Sequence, residues 1–509
     1  MKYSSLYTAI NNDRHSVFTG CFRAIITSVN PLPSRTILLQ IILIGLLSVF
    51  LASSPTLQDA SQALVEARLA LGVEAYAHAA ASLGRVVAFF PWRSDLLLET
   101  GELSLEAGNP KNAILYITQA GQSISLPSDS LLLLGDAYLA SGNAKQATQT
   151  WQQIPESSGY KEAALLRLLE LHRANNNYSQ AAEDLKSLIR LHPNEVGYHY
   201  QLGLLLAVLE PDSSLAYLSQ VAENDSTLAE KANELISRIK TARLYEEPAY
   251  TSVSVGRWLG SVGEWQLALQ ALQQAVEQRP DYAEAWAYLG ETLQHTGVPE
   301  EKSANQTGLQ ELQTALDLDP NSITAIMLMS LYWQRQGDDN LAIEYLDRAA
   351  NLEPDNPMLQ AELGRVTARI GDLPTAQAYY ENATALAPTD PVFWRLLAEF
   401  SLDKQIQVEQ IALPAARKVV LLAPENPQSL DLIGKTLIAL DDLQQAEIFL
   451  KRAIVLDASY APAHLHLGFL YLSQGNNELA QVEFQIARQL APDSQIAEQI
   501  DRLNSYFFP

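Results

Sequence analysis

The two closest histidines of the chain, His464 and His466, are the first candidates for a metal or catalytic site. In a helix, side chains two positions apart point to different faces, so this pair cannot hold one metal ion. The adjacent aspartates at 338–339 and 441–442 lie where turns between helices are predicted, and we interpret them as partners of helix N-termini. Cys21 is the only cysteine, which excludes an internal disulfide and a cysteine-based zinc site.

No motif of a known catalytic class accompanies these residues. The sequence has no HExxH, no phosphate-binding GxxxxGK[ST] loop, no GxGxxG and no GxSxG element. Its 34 basic and 58 acidic residues give a net charge of −24, which repels phosphate backbones and argues against nucleic-acid binding. Hydrophobic residues make up 48% of the 509, as in a packed protein. We therefore predict a folded protein that is not an enzyme and has no metal or cofactor.

An uncharged segment near the N-terminus differs from the rest of the chain. Residues 36–54 are nineteen residues without a charge, and as a helix they would span ~28 Å, close to a hydrocarbon core of ~30 Å. The positive residues that precede the segment are Lys2, Arg14, Arg23 and Arg35. Because positive flanks stay inside, we predict a single-pass anchor in the cytoplasmic membrane, with residues 1–35 inside and the remainder outside. A cleaved signal peptide is the alternative.

Glycines that follow an apolar residue recur at a regular interval through most of the chain. The members of this series are Gly135, Gly203, Gly256, Gly290, Gly364, Gly434 and Gly468, and Gly101, which follows Thr100, is a weaker member. Gly101 and Gly135 are 34 residues apart, and Gly135 and Gly203 are 68 apart, twice that interval. Prolines at 320, 354 and 388 keep the same spacing. Such a period indicates a chain of repeated supersecondary units.

Other positions complete the repeated pattern. The clearest unit contains His464, Leu467, Gly468, Tyr471, Gly475, Ala480, Phe484, Ala487 and Pro492. This pattern resembles the tetratricopeptide repeat, W-x-x-L-G-x-x-Y, A-x-x-x-F and P, with its period of 34. About twelve units in register cover roughly residues 60–492. The resemblance implies an all-α superhelical solenoid of about twelve helix-turn-helix repeats, which one transmembrane helix would precede.

Departures from the period predict the domain organisation. Gly203 and Gly256 are 53 residues apart, and the 19 residues beyond one period read as an extra charged helix and a turn. The predicted parts are a cytoplasmic tail at 1–35, an anchor at 36–54, a first repeat block at 60–227, an extra helix and linker at 228–248, a second block at 249–492 and a capping helix at 493–509.

The resemblance also implies where a partner binds. In this family the first helix of each repeat lines a concave groove, and the corresponding positions here include more basic residues than the composition suggests. The predicted groove residues are Arg257, Gln294, His295, Gln334, Arg335, Arg365, Arg369, Arg395 and Lys435. Arginines in a groove suit carboxylates, because the guanidinium fork binds them bidentately. The alternative is that these arginines pair with Glu and Asp on neighbouring helices.

We expect a scaffold that binds proteins. With the predicted anchor, the chain resembles membrane-tethered accessory proteins of bacterial envelope assembly or secretion. The predicted partner is a protein or an acidic peptide segment, with an acidic glycan as the alternative ligand. Two further functions stay open, namely a polysaccharide-binding accessory to polymer export and a soluble adaptor released by signal cleavage.

Overall fold

The computed structural model describes residues 57–224, 228–296, 307–492 and 494–507. Within these ranges the regular elements are 26 α-helices and one π-helical turn, and no strand occurs. The chain divides into two compact units, the first ending at Leu191 and the second beginning at His192. The prediction of an all-α helical-repeat fold is confirmed for the described part of the chain.

The described helices of the first unit form four hairpins. Its helices are α1 (Leu57–Leu71), α2 (Tyr76–Phe89), α3 (Ser94–Glu106), α4 (Pro110–Gly121), α5 (Ser128–Ala140), α6 (Ala144–Gln152), α7 (Lys161–Ala174) and α8 (Tyr178–Leu191). Each odd-numbered helix packs against the helix that follows it, and each hairpin packs on the next in chain order. Adjacent hairpins thereby bury the apolar face that one hairpin leaves open.

The second unit continues the same arrangement with eight hairpins. Its helices are α9 (Val196–Leu209), α10 (Pro211–Asn224), α11 (Ala229–Arg243), α12 (Pro248–Ser261), α13 (Trp265–Gln278), α14 (Ala283–His295), α15 (Leu309–Leu318), α16 (Ile323–Gln336), α17 (Asp339–Leu352), α18 (Pro357–Arg369), α19 (Leu373–Leu386), α20 (Pro391–Lys404), α21 (Leu413–Leu422), α22 (Pro427–Ala439), α23 (Leu443–Leu456), α24 (Ala461–Ser473), α25 (Asn477–Leu490) and α26 (Gln495–Phe507). The π-helical turn Val408–Ala412 precedes α21. Helix α11 stands singly between two hairpins, and α26 packs against the last hairpin.

Short polar residues begin the helices, and glycines end many of them. The side chain of Asp338 accepts a hydrogen bond from the N–H of Leu341 at 3.1 Å before α17, and Asp442 does the same for Gln445 at 3.3 Å before α23. These are N-terminal caps, as the sequence predicts for the paired aspartates. Gly337 ends α16 with a φ of 79°, a conformation that residues with a Cβ seldom adopt.

Within a hairpin, the glycine of the repeat receives a large side chain from the second helix. A Cβ on Gly135 would collide with the indole ring of Trp151, whose side chain is fully buried. The indole N–H of Trp151 donates to the carbonyl of Leu132 at 3.2 Å. Gly468 and Phe484 repeat this contact in the last hairpin. The glycine position is therefore required for close approach of the two helices.

Gly468→Ala should test this requirement. The new Cβ would lie 2.5 Å from Cε1 of the fully buried Phe484, so the ring or the helix must move. We expect a loss of about 1–3 kcal/mol in the free energy of unfolding, as for other overpacked cores. Denaturant unfolding followed by circular dichroism measures it. Gly159→Ala, with no atom within 4 Å, is the control; equal stability of the two variants would contradict the packing argument.

The predicted membrane topology needs correction. The predicted anchor at 36–54 and the tail at 1–35 lie outside the described residues. The longest described α-helices, α1 and α11, have 15 residues and extend about 22 Å, less than a hydrocarbon core of about 30 Å. Searching the described ranges finds no helix that is both long and apolar enough to cross a bilayer. The prediction of a single-pass membrane protein, with its N-terminus inside and its repeats outside, is withdrawn on this finding.

The predicted block boundaries stay predictions. Helix α11 lies within the stretch 228–248 that was predicted to hold an extra helix, and Arg243 at its end forms an ion pair with Asp212. Ile239 and Leu235 of this helix are fully buried. The single helix is thus packed into the second unit as part of its core.

Candidate interaction surface

The nine predicted groove residues all lie on the first helices of hairpins in the second unit. We call them the first-helix row: Arg257, Gln294, His295, Gln334, Arg335, Arg365, Arg369, Arg395 and Lys435. Their helices are α12, α14, α16, α18, α20 and α22. Successive helices of this series pack against each other, except that α16 and α18 are joined through the bond of Arg365 to Gln334. The row therefore brings together side chains that are far apart in the sequence.

Arg335 of α16 is held by two side chains of α14. Its Nη1 donates to Oε2 of Glu291 at 2.7 Å and its Nη2 donates to Oε1 at 2.6 Å, a bidentate pair. Nη1 also donates to Oε1 of Gln294 at 3.0 Å. Charge-assisted bonds of this geometry are stronger than those between neutral groups. Arg335 thus links two consecutive first helices.

Gln334 organises the two arginines of the next first helix. Its side chain is nearly buried, and its amide oxygen accepts a hydrogen bond from Nη2 of Arg365 at 2.7 Å. Nη2 of Arg369 donates to the backbone carbonyl of Gln334 at 3.3 Å and lies 2.8 Å from Oδ1 of Asp339. Arg365 also pairs with Glu362 on its own helix at 2.5 Å. Both guanidinium groups are consequently fixed in position while remaining about 40% exposed.

The row continues through α20 and α22. Nη1 of Arg395 donates to Glu399 of the same helix at 3.1 Å. Lys435 of α22 lies 3.3 Å from Oδ1 of Asp403 on α20. Both pairs are partly exposed, and such pairs contribute little to stability.

The two remaining members of the row, Arg257 and His295, contact aromatic rings. The guanidinium carbon of Arg257 lies 4.6 Å from the ring centre of Tyr288, a cation–π contact between α12 and α14. Burial raises the pKa of Tyr288, and the charge of Arg257 opposes that shift. His295 stacks on Trp265 with ring centres 3.8 Å apart. Its Nε2 also lies 3.2 Å from Oε1 of Glu291, the partner of Arg335.

Every cation of the row thus has a partner within the chain. Five of the six have a carboxylate within ion-pair distance, and these carboxylates are Glu291, Asp339, Glu362, Glu399 and Asp403. The sixth, Arg257, lies over Tyr288. Three of these ion pairs join neighbouring helices, as in the alternative that the sequence left open, and the pairs of Arg365 and Arg395 lie within one helix. Whether it also binds a partner stays a prediction.

His466 and Tyr380 lie beside the row and were not predicted as part of it. Nδ1 of His466 lies 2.7 Å from Oδ1 of Asp431, which extends the row from α22 to α24. Tyr380 of α19 is the second of these side chains. Burial raises the pKa of Tyr380 to about 12, the charge of Arg365 opposes this shift, and carboxylates such as Glu362 add to it. His466 follows Asp431 by 35 residues, one more than the interval between Gly434 and Gly468, so comparing equal positions in the two repeats does not pair them.

His464 does not cooperate with His466. Its ring is nearly buried in the last hairpin, and its Nδ1 lies 2.7 Å from Oε2 of Glu483 on α25. The two histidines thus have separate carboxylate partners, as helical spacing predicts. Within the described ranges, no three His, Cys, Asp or Glu side chains lie close enough together to hold a metal ion.

Parts of the repeat array are similar to known families and proteins. Family models described as tetratricopeptide repeats match residues 129–157, 166–228 and 257–301. The peroxisomal targeting signal receptor of Pichia angusta is 29% identical over 104 residues, covering 19% of this chain and 17% of the receptor. That of Komagataella phaffii is 32% identical over 78 residues, covering 15% and 12%. The chain thus spans less than a fifth of the length of these relatives.

Solved structures of low sequence identity are also similar in part. The yeast Tom70 crystal structure has a TM-score of 0.41 and 15% identity, over 88% of this chain and 95% of Tom70. The Cut9–Hcn1 hetero-tetramer of the APC/C has a TM-score of 0.35 and 13% identity, over 90% and 97%. The curated relatives are receptors for peroxisomal targeting signals and give no support to the predicted location in the cytoplasmic membrane.

Proposed function

We propose that this chain, which contains tetratricopeptide repeats, is a scaffold for protein–protein interaction that binds a segment of a partner protein along the first-helix row. The partner segment is expected to be extended and to present carboxylates to Arg365 and Arg369. The predicted role in envelope assembly depended on the membrane assignment, and we do not carry it into this proposal.

The observation that carries the proposal is the arrangement of arginines around Gln334. The recorded bonds of Arg365 to Glu362 and Gln334 use Nε and Nη2. A guanidinium group has five N–H donors, so the two on Nη1 can bind a ligand carboxylate without breaking those bonds. Arg369 is held through Nη2 by Gln334 and Asp339, and its Nη1 also donates to Oε1 of Gln334 at 3.5 Å.

Fixed arginines favour binding because little side-chain entropy is lost when the partner arrives. A hydrogen bond to a charged group is worth roughly 1.5–3 kcal/mol. Two such contacts give enough energy to select a carboxylate-bearing segment over one without charge.

The charge-reversed variant Arg365→Glu/Arg369→Glu tests the proposal. We expect the partner's affinity to fall at least about tenfold, because each substitution replaces an attractive charge with a repulsive one. The measurement is a crosslinking pull-down with quantitative mass spectrometry, followed by a titration with the captured protein. Arg417→Glu/Arg452→Glu is the matched control, since both residues are exposed on second helices and the net charge changes equally.

The outcomes separate the alternatives. Loss of one protein in the row variant but not in the control supports the scaffold and its binding surface. An unchanged partner set in both variants would overturn the assignment of the first-helix row. Equal loss in both would mean that net charge alone governs capture. Elution by an acidic polysaccharide, with no protein lost, would favour the glycan ligand instead.

A further inference from the structure

The first hairpin, formed by α1 and α2, has the internal packing of the repeat. Ala67 of α1 occupies the glycine position, and Leu83 of α2 follows it by 16 residues, the interval that separates Gly135 from Trp151. Ala67 and Leu83 are both fully buried. The register of the repeat therefore extends to α1, and its residues can be compared with equal positions in the other first helices.

The residue two positions after the glycine position contacts the preceding hairpin. In α20 this residue is Phe400, and its ring centre lies 5.0 Å from that of Tyr380, the large side chain that fills the glycine position of the hairpin before it. The same position is buried in other first helices, namely at Leu103, Ala137, Trp258, Val366 and Leu470, and it is half-buried at Leu171. This position thus marks the surface on which a hairpin receives the previous one.

The corresponding residue of α1 is open to solvent. Leu69 is 69% exposed, and Val65, one turn before it on the same side of the helix, is 56% exposed. We call this pair the outer face of α1. Among the described residues, no helix precedes α1 to cover it. Because the terminal units of helical arrays need a polar outer face, an apolar surface at this position indicates a missing neighbour.

The sequence just before α1 carries the residues of a second helix at the place where the period puts one. Counting back 34 residues from Ala79, Leu83 and Val86 of α2 leads to Gly45, Val49 and Ala52. The last hairpin has the same order of small, large and small residues at the same spacing, in Ala480, Phe484 and Ala487. Pro55 follows the segment as Pro91 follows α2, and a proline is typical of the end of a helix.

We propose that residues 36–54 bind along the outer face of α1, in the place that a preceding second helix takes in the other repeats. Val49 then contacts Leu69, as Tyr380 contacts Phe400. Burial of apolar surface on both sides drives the contact. Only Pro55 and Thr56 separate the segment from α1, so the contact forms within one chain and needs no partner at high concentration. This proposal concerns the first unit and does not depend on binding along the first-helix row.

Disulfide formation across the proposed contact tests it, in the full chain with Cys21→Ser so that no native cysteine remains. In Val49→Cys/Leu69→Cys we expect an intramolecular disulfide under mild oxidation, because the two Cα atoms would lie within about 7 Å. Val49→Cys/Leu115→Cys is the matched control, since Leu115 of α4 is also exposed in the first unit and should not crosslink. Mass spectrometry of tryptic peptides identifies the crosslink, and circular dichroism checks that each variant is folded.

Thiol labelling of Leu69→Cys, also with Cys21→Ser, measures whether the segment covers α1. We expect Val49→Asp to raise the labelling rate about tenfold or more, because a charge at the contact disfavours its burial. The thiol of Leu115→Cys should be labelled at the same rate with and without Val49→Asp.

Four results would overturn the proposal. The first two are equal crosslinking of the two cysteine pairs and an unchanged labelling rate of Leu69→Cys. A disulfide between positions 49 and 69 that forms only between two chains would assign the outer face of α1 to a second copy. Protection of the thiol in Val49→Cys only when phosphatidylcholine vesicles are present would place the segment in lipid instead.

Discussion

Trp151→Ala is expected to lower the free energy of unfolding of the first unit by about 3–5 kcal/mol, the usual cost of removing a buried tryptophan. The side chain is fully buried, its ring occupies the space that Gly135 leaves open, and its N–H donates to the carbonyl of Leu132. The substitution removes all three contributions and leaves a cavity between α5 and α6. Such a loss is comparable to the net stability of many domains.

In Trp151→Ala, we expect the hairpin of α5 and α6 to unfold before the rest of the first unit. In helical-repeat proteins each hairpin depends on its neighbours, so weakening one hairpin can split a single unfolding transition into two. Denaturant unfolding by circular dichroism, together with hydrogen exchange of α5 and α6, would detect this. Trp92→Ala is the control, because Trp92 is 66% exposed and its loss should cost less than about 1 kcal/mol. Equal destabilisation by the two substitutions would refute the packing role of Trp151.

His172→Ala is expected to destabilise the first unit by about 3 kcal/mol near neutral pH. Nδ1 of His172 lies 2.6 Å from Oδ2 of Asp184, and both side chains are only about one-tenth exposed. Burial raises the pKa of Asp184, and the hydrogen bond from His172 opposes that shift. Removing the histidine leaves a buried carboxyl without this partner, a change that is costly when the carboxyl is charged.

The pH dependence of this loss has a definite sign. A carboxyl whose pKa is raised by folding binds its proton more tightly in the folded state, so stability is highest at low pH and falls as the pH rises through the raised pKa. Without His172 the pKa of Asp184 should rise further. The destabilisation should therefore be smaller at pH 4 than at pH 7.5. His78→Ala, at an exposed position of α2, is the control, and a pH-independent loss in His172→Ala would contradict this account.

Short-range features of the sequence were sufficient for the repeat architecture. The interval of 34 between Gly434 and Gly468 predicted a repeated hairpin, and the structure places Leu450 and Phe484 on those two glycines. Capping by Asp338 and Asp442 was also predictable, because a cap depends on residues within one turn. The predicted anchor at 36–54 depended on an uncharged segment and the positive residues before it, and it lies outside the described residues.

The sequence was sufficient to place the residues of the first-helix row on their helices, but not to predict their hydrogen bonds and ion pairs. The repeat register placed Arg335, Arg365 and Lys435 on first helices, because equal positions of equal hairpins share a face. It did not reveal the bond between Arg335 and Glu291, which are 44 residues apart. Spacing between these partners varies from 31 to 44 residues, because loop lengths differ between hairpins. A fixed period therefore cannot pair them.

The sequence by itself determined an all-helical array of repeated hairpins, and its resemblance to the tetratricopeptide repeat implied which helix of each hairpin carries the polar row. Those properties depend on local spacing, capping and the fit of glycine to a large side chain. The tertiary structure alone decided which charges are neutralised. It paired five of the six cations of the first-helix row with carboxylates, because the balance of charge at a surface depends on how consecutive hairpins are placed against each other.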